Sequence, residues 1–159
     1  FGPEMRERIS SFVAGPVAPA NEERRSLERV HERMRGLSVA EQQRVAREGE
    51  ASERVVLERI YGKSVWEPLL KNPRLTVPEV ARIAHMGNLP VPLVELIVAN
   101  GAWLTSSLVR RALLANPRLK GEAAIRVLRA MPHGELKLVP KQTAYPALIR
   151  EAARKLLGP

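Results

Sequence analysis

One seven-residue stretch occurs twice in this chain, as Leu69-Leu70-Lys71-Asn72-Pro73-Arg74-Leu75 and as Leu113-Leu114-Ala115-Asn116-Pro117-Arg118-Leu119. The copies agree at six of seven positions and stand 44 residues apart, a period at which helical repeat units recur. Its chemistry is that of a corner. Paired leucines close an amphipathic helix, and the residue before proline is driven out of the helical region, so each helix must stop near Asn72 or Asn116. Asparagine suits such an end, because its side chain bonds neighbouring backbone groups. After the first copy, Thr76-Val77-Pro78-Glu79 combines a capping threonine, a first-turn proline and a glutamate three residues on, which starts the next helix. Asn72, Pro73, Asn116 and Pro117 are therefore expected to be structural corners between helices.

Composition supports an all-helical core. Hydrophobic residues make up 45% of the 159-residue chain but aromatics only 4%, so the interior must be built from Leu, Val, Ile and Ala. The 13 prolines fall mostly where helices are expected to begin or end, where proline is tolerated. Cysteine is absent, which excludes disulfides, thiolate chemistry and cysteine-ligated metal. No apolar run approaches membrane-spanning length and no signal peptide opens the sequence, so a cytoplasmic protein is expected. The sequence starts at Phe1 without methionine, as a processed product or a fragment of a longer protein would.

Taken in order, residues 1–37 form an N-terminal arm and a charged helix, and 38–159 a helical-repeat domain. The arm holds a short helix at 4–13 and a Pro/Ala/Gly run at 14–20 that is a linker or lies along the surface. The charged helix runs from an Asn21 cap to Arg35 with Leu27, Val30, Met34 and Leu37 inward, its charged face solvated, with partner binding as the alternative, and His31 on the surface. Ser38-Val39-Ala40-Glu41 is a second capping box. A helix over 52–61 closes at Gly62, and another runs from Ser64 into the first corner with Trp66 and Pro68 in its first turns. Helices at 77–86 and 92–99 follow, then the Asn100-Gly101 turn, a helix over 106–114, one over 122–131, an ambiguous segment at 135–139, and a last helix after Pro146. In that last helix Leu148, Ile149, Ala152 and Leu156 are expected to pack while Arg150 and Arg154 face outward.

The stretch from Ser38 to Leu157, with its two Asn-Pro corners, the Pro78-Glu79-Val80 helix start and the Asn100-Gly101-Ala102-Trp103 turn, resembles a bacterial, delta-proteobacterial type of helical-repeat family akin to HEAT and leucine-rich-variant repeats. The resemblance implies an all-α, right-handed stack of helix pairs, a short α-solenoid, and carries over no catalytic residue. Trp66-Glu67-Pro68 departs from its usual pattern, in which this helix is rich in small residues.

Enzymatic activity is not expected. There is no aspartate, and His31, His85 and His133 are scattered outside any metal-binding or triad spacing. Glycines form neither a dinucleotide fingerprint nor a P-loop, and no cofactor is implied. Helical stacks present long surfaces for recognition, so the leading expectation is a scaffold or adaptor for another protein, with Trp66 and Trp103 as candidate groove aromatics. The alternative comes from charge. Residues 1–100 are nearly balanced, with 15 basic and 14 acidic residues, whereas 101–159 hold 11 basic and only 3 acidic. Arg110, Arg111, Arg118, Lys120, Arg126, Arg129, Arg150, Arg154 and Lys155 are candidate contacts for nucleic acid or another polyanion.

Overall fold

The computed structural model describes residues 17–159. Among these there are helices and turns and no strand. The chain divides into two compact units, the first ending at Arg74 and the second spanning Leu75–Pro159. The expected helix at 4–13 lies outside the described residues.

In the first unit, α1 (Val17–Arg35) begins earlier than an Asn21 cap allows, so 17–20 are helix rather than linker. Pro19 falls in its first turns, where the missing N–H costs nothing. This helix packs on α3 (Ala51–Val56), and Arg33 Nη2 reaches Glu53 Oε2 at 3.1 Å. The charged helix is thus part of the first unit's core, through Val30 and Met34. His31 corrects the expectation of a surface residue: it is 6% exposed, with its ring 6.5 Å from that of Tyr61. Its charged neighbours in sequence hid the fact that it lies one residue after buried Val30 and three before buried Met34.

Burial pushes the His31 imidazole below its ordinary range, nearby Arg35 pushes the same way, and Glu32 opposes. The folded protein therefore holds His31 neutral where the unfolded chain, with an ordinary value of about 6.5, takes up a proton. The associated stability is complete above that value and is lost as pH falls through it towards the lower, folded one. Thermal melts at about pH 7.5 and about pH 5.5 test this, with the wild type expected to lose more stability on acidification than His31→Gln.

Helix α2 (Val39–Glu48) opens with the expected capping box, Ser38 Oγ accepting from Glu41 N and Glu41 Oε1 accepting from Ser38 N. The helix expected over 52–61 is instead α3 followed by a π-helical turn at Leu57–Tyr61 and a 3₁₀ turn at Gly62–Ser64. The wider turn puts Leu57 and Glu58 inside together with Arg54 and Val56. Gly62 ends it at φ 48°, in the left-handed region that glycine adopts without strain. Helix α4 (Trp66–Leu70) then packs against α2 and enters the first corner.

The second unit comprises α5 (Val77–Ala84), α6 (Val91–Ala99), α7 (Gly101–Leu104), α8 (Ser107–Leu114), α9 (Gly121–Arg129), α10 (His133–Leu136), a 3₁₀ turn at Val139–Lys141 and α11 (Ala147–Leu157). Asn100 does more than turn the chain: its Oδ1 accepts from Ala102 N and Trp103 N, capping α7. Helix α5 packs on α8, α6 on α9, and α9 on both α8 and α11. The core gathers Val80, Ile83, Leu89, Val94, Ile97, Val109, Leu113, Leu114, Val127, Leu128, Ile149 and Ala153. Leu148 was expected inward but is 71% exposed. It shares its stretch with Ile149, and Ile149 and Ala153, four apart, take the inward face.

The two corners use one device. Asn72 Oδ1 accepts from Arg74 N at 2.9 Å, and Asn116 Oδ1 from Arg118 N at 2.8 Å, the local bond that the motif predicts. Each amide also reaches far back in sequence. Asn72 Nδ2 donates to Ala46 O at 2.9 Å and Gly49 O at 3.2 Å, and Asn116 Nδ2 to Ala84 O at 2.7 Å and Met86 O at 3.0 Å. Ala46 and Ala84 each lie eight residues after a capping residue, Ser38 or Thr76. In each unit the corner thus satisfies carbonyls at the C-terminal end of that unit's capped helix, which no intrahelical partner can reach. Both asparagines are buried, while Pro73 and Pro117 are exposed.

Candidate functional site

Helix α5 begins at the Thr76 box, with Thr76 N donating to Glu79 Oε2 at 2.7 Å. One of its faces, Val80, Ile83 and Ala84, is in the core. The opposite stripe, Pro78, Ala81, Arg82 and His85, recurs at three- and four-residue steps and therefore runs the helix's length. Helix α8 opens at Ser106, whose Oγ accepts from Leu108 N and Val109 N. It buries Val109, Arg110, Leu113 and Leu114 and turns Leu108, Arg111 and Ala112 towards that stripe of α5. These seven residues line a groove of about 490 Å³. Eight residues of α5 span about 12 Å, so the groove is about two helical turns long.

The floor is small and apolar. Ala81 is buried, Ala112 half-buried, and Leu108 stands 47% exposed above them. The polar groups are cationic or imidazole: Arg82, Arg111 and His85, with no acidic residue among the lining. Arg111 Nη2 donates to Ser107 Oγ at 3.1 Å, one turn back, which directs the guanidinium along the exposed side of α8. A second hollow of about 450 Å³ shares Arg111 and Ser107 and is completed by Met131, Glu135, Leu138, Val139, Gln142 and Tyr145. There burial raises the Tyr145 phenol, with Arg111 opposing and Glu135 reinforcing.

The first unit treats the matching positions differently. Aligning Ser38 with Thr76 places Gln43 opposite Ala81, and aligning Asn72 with Asn116 places Ser64 opposite Leu108 and Glu67 opposite Arg111. In the first unit Gln43 Nε2 donates to Ser64 O at 3.1 Å, a polar contact between the two elements, and Glu67 pairs with Lys71 at 3.0 Å along its own helix. The second unit replaces that contact with alanine and an exposed leucine, and replaces the acid with arginine. The fold itself therefore does not require an open apolar groove here.

The residues singled out by charge separate into different roles. Arg110 is 4% exposed: Nη1 donates to Leu104 O at 2.8 Å and Nη2 pairs with Glu135 Oε2 at 2.6 Å, so this side chain holds α7, α8 and α10 together rather than facing a polyanion. Arg150 is half-buried with Nε out of solvent. Arg154 Nη2 donates to Pro140 O at 3.4 Å. Arg111, Arg118, Lys120, Arg126, Arg129, Arg154 and Lys155 are exposed and are spread over α8, the second corner, α9 and α11. Trp66 is 4% exposed and is buried in the core of the first unit; Trp103 is half-buried in α7.

Leu108, Ala81 and Ala112 were not singled out from sequence. The available signal was the divergence just ahead of the matching stretch, where only Val65 and Val109 agree and Ser64 stands against Leu108 and Glu67 against Arg111. Among the described residues no group of three or more His, Cys, Asp or Glu side chains is placed to hold a metal ion, and no helix is long and apolar enough to cross a membrane. No protein-family model, no curated protein and no solved structure matches this chain, so its functional reading rests on the groove and the charges around it.

Proposed function

We propose that the chain is a non-enzymatic helical-repeat protein, a short right-handed α-solenoid of HEAT-like or leucine-rich-variant type, acting as a scaffold or adaptor that holds a segment of a protein partner in the α5/α8 groove. The observation that carries this reading is Leu108, a large apolar side chain left exposed over an alanine floor where the matching positions of the first unit are the polar Ser64 and Gln43, joined by a hydrogen bond. Exposed apolar concavities rimmed by polar groups are characteristic of protein-binding sites. The shared corner device supports repetition of one structural unit.

The test closes the groove with the first unit's own residues. The double substitution Ala81→Gln/Leu108→Ser is expected to keep the helical circular dichroism of the wild type and to lose a partner that the wild type captures from its source cells. The same partner should bind again when both proteins are purified. Identical proteins retained on both baits would contradict the proposal.

A second reading, binding of nucleic acid, is favoured by the exposed cations of the second unit, Arg118, Lys120, Arg126, Arg129, Arg154 and Lys155. Against it stand the internal use of Arg110 and the half-burial of Trp103 and Tyr145, which leaves no open aromatic platform among these cations. Fluorescence anisotropy with labelled DNA and RNA at low and at physiological salt separates the readings. The protein-binding proposal expects no binding that survives physiological salt, whereas polyanion recognition expects binding lost in Arg126→Glu/Arg129→Glu.

A further inference from the structure

We infer that the occupant of the α5/α8 groove is an acidic amphipathic helix of about two to three turns, an inference that rests on the protein-binding proposal above. The groove supplies each element of that recognition. Its length, set by α5, matches two helical turns, and its alanine floor permits close approach of a helix backbone. Leu108 stands beside that floor, where apolar side chains spaced three and four apart on an incoming helix would meet it.

The charge of the occupant follows from the rim. Arg82, Arg111 and His85 line the groove and no carboxylate does. The unit around it is also one-sided, with 12 Lys and Arg against 5 Glu from Leu75 to Pro159. A basic segment would bring its own cations against Arg111, whose Nη2 is bonded to the uncharged Ser107 Oγ, while carboxylates flanking the apolar stripe would pair with Arg111 as they dock. In the first unit the position matching Arg111 is Glu67, which already engages Lys71, so charge complementarity confines this occupant to the second unit. The arginine therefore sets partner sign, and the leucine and alanines supply apolar contact.

The test is a display selection of random peptides of about 12 residues on the full chain, with counter-selection on Ala81→Gln/Leu108→Ser. The inference expects sequences with an apolar stripe at three- and four-residue spacing flanked by Asp or Glu. Synthetic versions, followed by anisotropy, should bind Arg111→Glu about 10- to 100-fold more weakly than wild type, and peptides with Lys in place of the acids should recover on that variant. Groove-dependent peptides that are neutral or basic, or binding indifferent to Arg111→Glu, would overturn the acidic occupant while leaving the groove as a protein-binding site. Recovery of no groove-dependent peptide would overturn both.

Discussion

Replacing Asn116 by aspartate is expected to destabilise the protein more than replacing it by alanine, although aspartate is the closer match in shape. Asn116 is fully buried, donates through Nδ2 to Ala84 O and Met86 O, and accepts from Arg118 N through Oδ1. Alanine leaves the part-buried Arg118 N–H and the buried Ala84 O short of partners, while Met86 O keeps Leu89 N, and a loss of about 3 kcal/mol is expected from hydrogen bonds of this kind. Aspartate keeps the bond from Arg118 N but points an oxygen at two carbonyl oxygens, where the amide had offered its hydrogens. It also places an anion, out of water, at the negative end of α5. A loss of about 4 kcal/mol or more is expected for Asn116→Asp at neutral pH. Because only the neutral carboxyl can donate there, its folded pKa must lie above the unfolded value. The deficit relative to wild type is therefore full at neutral pH and shrinks as pH falls towards about 4, where both states bind the proton. Urea unfolding followed by circular dichroism at a series of pH values measures this. A deficit for aspartate smaller than for alanine, or unchanged by pH, would contradict the geometry of the corner.

The second large effect belongs to Arg110. Truncation to alanine removes the partner of Glu135 and of Leu104 O in a site where the Arg110 side chain is 5% exposed and that of Glu135 27%. Breaking a pair of this kind costs about 3–5 kcal/mol, because the remaining charge is left desolvated. The pair is not fully satisfied, since Arg110 Nε and Glu135 Oε1 are buried without hydrogen-bond partners among the described residues. Replacing both members by apolar groups of similar size, Arg110→Met/Glu135→Leu, should accordingly recover most of the loss seen in Arg110→Ala. Arg111→Glu, one residue along the same helix, should change stability by no more than about 0.5 kcal/mol, as an exposed surface substitution does. Denaturation midpoints of the three variants give the comparison.

That contrast marks what sequence conveyed about this protein. Arg110 and Arg111 are chemically identical and adjacent, and net charge treats them alike. The helix rotates one into the α7/α8/α10 contact and the other into the groove, and only the three-dimensional packing of Glu135 and Leu104 reveals which. Local signals carried further. The Ser38 and Thr76 boxes start α2 and α5 where their spacing says they should, and the Asn-Pro motif stops α4 and α8, because each of these interactions closes within a few residues. The reach of Asn72 to Ala46 and of Asn116 to Ala84 spans 26 and 32 residues, which no local pattern encodes. His31 and Leu148 went astray for a related reason: position on a helix wheel depends on which neighbour packs against it. The groove sits at the edge of legibility, since Leu108 and Arg111 stand out only once the two copies are laid over each other at Asn72 and Asn116.

The most direct test of the groove's role is a calorimetric titration of the captured partner into wild type, Ala81→Gln/Leu108→Ser and Arg126→Glu/Arg129→Glu. The account predicts affinity at least about tenfold weaker for the closed groove and within about twofold of wild type for the charge-reversed α9, because apolar anchors dominate binding energy and remote rim charges contribute little. Unchanged affinity for the closed groove, with binding lost on reversal of Arg126 and Arg129, would contradict it and move the site to the basic surface.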